Sequence, residues 1–526
     1  MEEAAEAAQA LVRARKNLQD SESAESVSAL SAVHQRGADR LLWLARTNKG
    51  VYIKLAQHLA QLDYLLPDEY TTTLRACLRD APTSSYDDVR RTIQLDFGKP
   101  IEELYASFDP VPFASASLAQ VHVAYVKQGQ DGEEATGGAS SERVAGGWGS
   151  VAGGGGRAEG GGGGGGGAET TGLRKVAVKV QHLGLRETAV GDVEAVSLVV
   201  KLLTGFFPGM PLWWLAEEIA PHLPVELDFQ KEAAHAARCR ELFKDDASIC
   251  VPDVLPHLST TRVLTMSFEE GCSIGDVSAI KEMGVCPGDV AHLISHCFNR
   301  QIYSAGFVHC DPHPANVLVR PLPSSSPLKD GGIRAPQLVL LDHGLYRQLD
   351  PEFMRDYCIL WRALILGQVE TIRQQCQKMG AGDMYPLLAA MLTARPWNKI
   401  IDPHLDSLQL PDTEEERMML KQYASHYALD IAAMLNKVPR QMLLLFKAND
   451  CLRHVDRRLG SPANTLISTA RHTSQALVAH ARASGSWRAY VKALCEKWML
   501  ELALLTLSLR QAAAKSGLGL GFRFCL

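Results

Sequence analysis

A glycine-rich run between two strand-like segments constrains this chain more than any other feature. Of the 43 glycines in 526 residues, 20 lie between Gly129 and Gly172. Poly-glycine loses the most backbone entropy on ordering and offers no side chain to bury, so this stretch cannot join a packed core. Before it, Ser117–Val126 is rich in β-branched and small residues and reads as a strand. After it, Lys175–Gln181 alternates apolar and polar residues, the period-two pattern of a half-buried strand. The simplest arrangement is a β-hairpin whose turn has been swollen by a disordered Gly-rich loop. Closure entropy grows only logarithmically, so about forty extra residues cost little.

The flanks of this hairpin are helical. Residues 1–46 are rich in Ala, Glu and Arg, and residues 47–80 continue with apolar positions at Val51, Leu55, Leu59 and Leu62. Pro67, followed by Asp68 and Glu69, marks a helix start. Residues 86–108 read as a helix pair broken by Gly98 and Pro100. Beyond the hairpin, residues 186–204, Glu226–Phe243 and Pro287–Ala305 are predicted helices, and Arg262–Phe268 a strand. His309–Arg320 is a polar loop entering a short strand. Pro321–Pro336 is a second loop, and Leu338–Leu341 the strand after it. From Glu352 to about Ala513 the pattern is helical, with breaks at Pro386, Pro439 and Pro462. The order predicts an α+β chain: helices, a small β-rich lobe, then a larger helical lobe.

Composition allows this. Hydrophobic residues make up 46% and charged residues 21%, enough for a real core and too apolar for global disorder. A net charge of -5 argues against nucleic acid as a partner. The 12 cysteines are scattered without a CxxC and read as buried free thiols, not as a disulfide framework. The acidic start Met-Glu-Glu-Ala-Ala-Glu resembles neither a secretory leader nor a matrix-targeting helix. Val196–Met210 is interrupted by Lys201, Gly205 and Pro208, and Trp498–Leu509 by Glu501. Both are expected as buried helices, with peripheral membrane contact through Trp213, Trp214 and Trp498 as the competing reading.

The sharpest chemistry lies in His309-Cys310-Asp311-Pro312-His313-Pro314-Ala315-Asn316 and, later, Leu340-Leu341-Asp342-His343-Gly344. Two carboxylates and an amide on adjacent loop ends form an oxygen-rich pocket suited to Mg²⁺. One carboxylate can orient an acceptor hydroxyl or take its proton. The other, with Asn316, can hold metal against triphosphate oxygens, the division of labour phosphoryl transfer needs. His309 and His313 invite a metal-ligand reading too, but no third soft ligand is spaced for zinc. Lys179 sits in the middle of an apolar strand, where a lone lysine ordinarily snorkels to water. Glu232, on a helix that can pack behind this strand, would instead pair with it and hold the ammonium against phosphates.

These motifs resemble the UbiB/aarF-domain family of atypical kinase-like proteins, over roughly residues 44–510. Lys54-Leu55-Ala56-Gln57 matches the family's KxGQ, and Ala114–His122 its Ala-rich loop. Val176–Lys179 matches the VAIK-like strand, and Glu226-Leu227-Asp228 the ExD element, with Glu232 in the αC role. Asp311–Asn316 matches the catalytic loop, and Asp342-His343-Gly344 the metal-binding DFG. The resemblance implies a two-lobed protein-kinase-like fold with a helical extension packed over the nucleotide cleft. Residues 1–43 would be a variable helical N-terminus and 44–110 the extension. Residues 111–268 would form the N-lobe with insert 129–172, residues 269–513 the helical C-lobe, and 514–526 a flexible tail.

By the same resemblance Asp311, Lys179, Glu232, Lys54 and Gln57 are the catalytic set. Ala114, Ser115, Ala116, Ser117, Lys179, Glu226, Asp228, Met266, Asn316 and Asp342 bind nucleotide, with Asn316 and Asp342 on the metal. Lys54 and Gln57 would reach into the site to contact Glu226 and Asp228. ATP and Mg²⁺ are the implied cofactors and a small molecule or lipid the implied acceptor, more than a protein. The implied setting is mitochondrial lipid and membrane homeostasis.

The chain departs from the family pattern at several places. Alanine side chains in the phosphate loop narrow its dihedrals and crowd phosphates, and Ser115 is polar enough to touch one. Ala56 and Ala315 stand where the family has glycine, His343 where Phe is common, and Ser267 where many relatives carry a hinge Glu. Ala315 would cost about 1 kcal/mol if its position needs a positive φ. Two rival readings are a catalytically weak nucleotide-binding scaffold acting through protein partners and a helical interaction protein without nucleotide.

Overall fold

The computed structural model describes residues 24–60, 66–79, 83–127, 172–206, 224–310, 312–323, 334–401, 431, 434–435, 437–460 and 465–515. Two helices open it, α1 (Ala24–Asn48) and α2 (Gly50–Leu59). The turn between them is made by two residues in the left-handed region, Lys49 at φ 60° and Gly50 at φ 44°. A Cβ on Gly50 would lie 2.5 Å from the end of the Leu185 side chain, which would have to move aside. Pro67 precedes α3 (Asp68–Leu74), as its fixed φ favours. Ala45, Ile53, Ala56, Ala60 and Leu74 close a small core among these helices. The Ala56 methyl therefore fills the extension's own interior. Next, α4 (Tyr86–Phe97) starts on a capping box between Ser85 and Asp88 and stops at Gly98, φ 66°. After it only a single turn, Ile101–Leu104, is helical; Ser107–Phe108, expected in the helix pair, forms strand β1 instead.

The N-lobe sheet runs β1, β3 (Ala119–Lys127), β4 (Leu173–Gln181), β6 (Val263–Ser267), with β2 (Ala114–Ser115) also on β3. The hairpin read from the sequence is present: β3 and β4 pair antiparallel from Ala119↔Gln181 to Lys127↔Leu173. The residues joining them, 128–171, lie outside those described, and with them all of the Gly-rich insert but Gly172. Alternation along β4 sorts its faces. Val176, Val178 and Val180 join Val89 and Ile93 of α4 in one core, which leaves Ala177 and Lys179 for the other face.

From the sheet the chain enters α5 (Leu185–Phe206) and then α6 (Phe229–Phe243). The second begins three residues later than its periodicity implied, because the Asp228 side chain accepts from Gln230 N and acts as N-cap. Glu226 thus precedes the helix. Leu198, Val199 and Leu202 of α5 are more than half exposed, so the expected burial of Val196–Met210 does not hold for them. Trp213 and Trp214 lie outside the described residues.

The C-lobe is built on α7 (Pro287–Asn299), continued by a π-helical turn through Ala305. Two small sheets serve the site. One runs β5 (Ile249–Cys250), β10 (Pro336–Leu340), β9 (Val317–Pro321), β7 (Cys272–Ser273); the other pairs β8 (Phe307–His309) with β11 (Tyr346–Gln348). Beyond them lie α8 (Pro351–Ile365), α9 (Val369–Lys378), α10 (Tyr385–Thr393), α11 (Arg440–Arg458), α12 (Thr465–Ala483) and α13 (Trp487–Lys515). Pro351 and Pro386 stand in first turns and Pro439 at an N-cap, so these prolines start helices where the pattern broke. Pro462 is outside the described residues. The largest core joins Tyr357, Leu360 and Leu364 of α8 to Ile372, Leu388, Leu445 and Leu500.

Candidate active site

The site lies between the inner face of the N-lobe sheet and the loop ends of the C-lobe. Lys179 is central in that sheet, paired to Val121 on β3 and Leu264 on β6. Its Nζ donates to Glu232 Oε1 at 2.7 Å and Oε2 at 2.9 Å. Two tethers hold α6 in register for this: Gln181 Nε2 donates to Leu227 O, and Phe229 N to Thr261 O. Glu232 stands in the first turn of α6, where the helix dipole favours a carboxylate. The side chains of Lys179 and Glu232 are only 15% and 3% exposed.

Asp342 completes the cluster from below. Its Oδ1 lies 3.7 Å from Lys179 Nζ and accepts from Gly344 N at 2.9 Å. Burial would raise its pKa; Lys179, the Gly344 amide and Lys54 together bring it down to about 2. Burial likewise opposes the Lys179 ammonium, but Asp342 and Glu232 outweigh it and its pKa lies above the ordinary value. Unlike Glu232, the Asp342 side chain is 41% exposed, so an ionised carboxylate faces the opening.

Asn316 reaches the same end of the C-lobe sheet. It ends the 3-10 turn Pro314–Asn316, Leu340 pairs with Val317, and Leu341 N donates to Asn316 O at 3.0 Å. Among the described residues only Lys49 and Ala394 are non-glycine with positive φ, so Ala315 carries no strain of that kind. His313 Nδ1 accepts from Ala315 N, within its own loop. Asp311 lies outside the described residues. An ionised carboxylate and an amide on neighbouring strand ends are hard oxygen donors. Mg²⁺ is commonly held by one or two such groups plus phosphate and water, so the pair fits it.

His343 supports this loop from beneath. The ring is 2% exposed; Nε2 donates to Leu340 O at 3.0 Å, so Nδ1 accepts from Tyr346 OH at 3.0 Å. Burial first, then His309, push its pKa down to about 3. It is a neutral anchor stacked on Tyr346, with the buried His309 ring tilted against both. Sequence reasoning marked the substitution but not this role, because Tyr346 and Leu340 become neighbours only through the pairing of β11 with β8.

The extension closes the upper side. Lys54 of α2 pairs with Glu226 at 2.8 Å, with side chains 16% and 7% exposed. Val51 packs with Leu118, Leu185, Ala189 and Leu227, so α2 rests on both the Ala-rich turn and the segment before α6. Gln57 does not join Glu226 and Asp228 as expected. Its Nε2 donates to Cys77 O at 2.9 Å, back inside the extension. Asp228 instead caps α6.

The Ala-rich segment is a tight hairpin: Ala114 pairs with Val121, Ser115 with Gln120, and Ala116 N donates to Ala119 O. Ala114 and Ala116 are exposed, Ser115 half-buried and Ser117 buried. His182 Nε2 donates to Ala116 O at 3.1 Å, so its Nδ1 accepts from Ser84 Oγ at 2.8 Å. Ser84 N donates to Gln120 Oε1, and Gln120 Nε2 to His122 Nε2. This chain ties the turn to the residues before α4. Where a Gly-rich loop would flex, this one is pinned. Met266 is buried on β6 beside Ala119, Phe229 and Leu264, on the same side of the sheet as Ala177.

A sequence model of the ABC1 atypical kinase-like domain matches residues 77–133 and 167–376. Mouse AarF domain-containing protein kinase 1 is 36% identical over 87% of this chain and 77% of its own. The Drosophila melanogaster AarF domain-containing kinase 1 is 33% identical over 84% and 74%. Yeast ABC1 family protein MCP2 is 32% identical over 82% and 69%. Among solved structures, Mycobacterium tuberculosis Rv3197 in complex with erythromycin matches with a TM-score of 0.42 at 19% identity, covering 78% of this chain and 95% of that one. With a family model across half its length and relatives aligned over most of theirs, this two-lobed, kinase-like chain belongs to the ABC1/AarF atypical kinase family.

Proposed function

We propose that the protein is an ATP- and Mg²⁺-dependent atypical kinase or ATPase, acting on a small molecule or lipid-related acceptor and serving mitochondrial membrane and lipid homeostasis. The observation that carries the catalytic part is the convergence of Lys179, Glu232 and Asp342 from three separate elements, with the Asp342 carboxylate left open. Lys179, fixed by Glu232, neutralises phosphate oxygens. Asp342 and Asn316 hold the cation, whose charge offsets that of the phosphates. Asp311 orients the attacking hydroxyl or water and takes its proton as the phosphorus–oxygen bond to ADP breaks. Ala114, Ser115, Ala116 and Ser117 bound the phosphates, and Met266 the base. Glu226 tunes the entrance with Lys54. The small-acceptor reading is supported by α2, which packs on the Ala-rich turn and the segment before α6 and so narrows access to the cleft.

The test is ATP turnover by the purified chain with Mg²⁺, with and without phospholipid vesicles. Turnover lost in Asp342→Asn and Lys179→Ala supports the proposal. Nucleotide binding without turnover in every condition selects the scaffold. No thermal shift with ATP or ADP selects the helical interaction protein.

A further inference from the structure

The last helix, α13, has two apolar faces. Leu500 and Leu504 are buried in the C-lobe core. Glu496 pairs with Arg362 of α8, and Glu501 with Arg471 of α12. These contacts fix which side of α13 faces the protein. Trp498–Leu509 was expected to be buried, and on the other side of the helix it is not. Trp487, Val491, Trp498, Leu502 and Leu505 are 70, 44, 67, 54 and 55% exposed. Steps of four, seven, four and three residues keep them on one strip of the helix. A strip this long on a water-facing helix marks an interaction surface.

The charges say what covers it. Both carboxylates of this stretch of α13 are occupied by arginines. Arg488 and Lys492 border the strip on one side, and the Arg488 guanidinium stands 5.9 Å over the Trp487 ring; on the other side Glu501, paired with Arg471, stands between the strip and Lys497. Among the described residues, Lys492 and Lys497 have no carboxylate within ion-pair distance. With both carboxylates paired to arginines, Arg488, Lys492 and Lys497 leave the surround of the strip net positive. A second copy of this chain docked on the strip would bring these like charges together. An anionic bilayer would neutralise them while taking up the apolar residues, and indole rings favour the headgroup level. No described helix is long and apolar enough to cross a membrane; α13 has the composition of a helix that lies in the interface.

We propose that α13 docks the protein on an anionic lipid surface, with Trp487, Val491, Trp498, Leu502 and Leu505 inserted and Arg488, Lys492 and Lys497 at the phosphates. This inference stands apart from the nucleotide reading and survives its failure. The experiment is flotation of the full chain with phosphatidylcholine vesicles, with and without phosphatidylglycerol, at two salt concentrations. The chain floats with the anionic vesicles and releases at high salt. Trp498→Ser/Leu502→Ser weakens partitioning about tenfold or more, with unchanged thermal unfolding and elution volume. Lys492→Glu/Lys497→Glu abolishes the preference for phosphatidylglycerol. Failure of the parent to float, or equal flotation of the serine variant, overturns the proposal. So does a dimer dissolved by the serine variant without loss of flotation, which assigns the strip to a second copy. If the serine variant unfolds, Trp487→Ser/Val491→Ser reads the same strip; unfolding of both shows that protein covers it and also overturns the proposal.

Discussion

Replacing Lys179 with methionine tests the buried pair at the centre of the site. Methionine keeps the length and packing of the side chain but removes its charge. Glu232, 3% exposed, is left beside the Asp342 carboxylate without the ammonium that both share. Removing one partner of a buried pair costs about 3–5 kcal/mol, because the remaining charge is desolvated and uncompensated. The cost depends on pH, and its sign follows from linkage. In the variant the Glu232 pKa lies above its unfolded value. The folded state then holds a proton that the unfolded state has lost, so stability falls as pH rises from about 4.3 through the folded pKa. Urea unfolding at pH 5 and pH 8 should show a small deficit at the lower pH and the full deficit at the higher. Lys179→Met/Glu232→Gln should recover about 2 kcal/mol or more at pH 8, since no charge is then buried. A single variant as stable as the parent at pH 8, or a deficit equal at both pH values, would refute the pair as described.

Two further outcomes follow from the C-lobe. His343 is neutral when folded, with a pKa of about 3 against an ordinary 6.5. Its contribution is complete above about pH 6.5 and lost as pH falls toward 3, up to about 5 kcal/mol in all. His343→Phe should flatten the acid limb of the stability profile over that window, measured by urea midpoints at pH 7, 5 and 4. An unchanged limb would contradict the buried neutral ring. Gly380 has φ +87°, and a Cβ there would lie 2.5 Å from Lys437 O, so Gly380→Ala should destabilise the C-lobe by about 1–3 kcal/mol. Thermal unfolding checks this, and a neutral substitution would contradict it.

Much of the fold was legible because it is written in local periods. The alternation of Lys175–Gln181 predicts both the hairpin and the face that Lys179 occupies, and Pro67 marks a helix start by stereochemistry; Pro386, which reads as a break, starts a helix instead. Less legible was whatever depends on side-chain partners distant in sequence. The periodicity runs Glu226 into the helix of Glu232, because nothing local says that Asp228 caps that helix; Glu226 stands instead in a separate helical turn before it. The motif places Gln57 at the cleft, but Cys77 O, twenty residues on, takes its amide instead. Ala56 and Ala315 could not be judged without a backbone; the first proves to be extension core and the second unstrained. The helix ending the C-lobe was misjudged for a different reason: hydrophobicity shows that a residue can be buried, not that a partner exists within the same chain.

The central claim is that Lys179, Asp342 and Asn316 grip one cation-bound nucleotide, and a structure with a non-hydrolysable ATP analogue and Mg²⁺ tests it most directly. A single cation should meet the Asp342 carboxylate, the Asn316 amide and phosphate oxygens, with Lys179 still paired to Glu232 and touching a phosphate. A nucleotide bound elsewhere, or a cation that meets neither Asp342 nor Asn316, would contradict it.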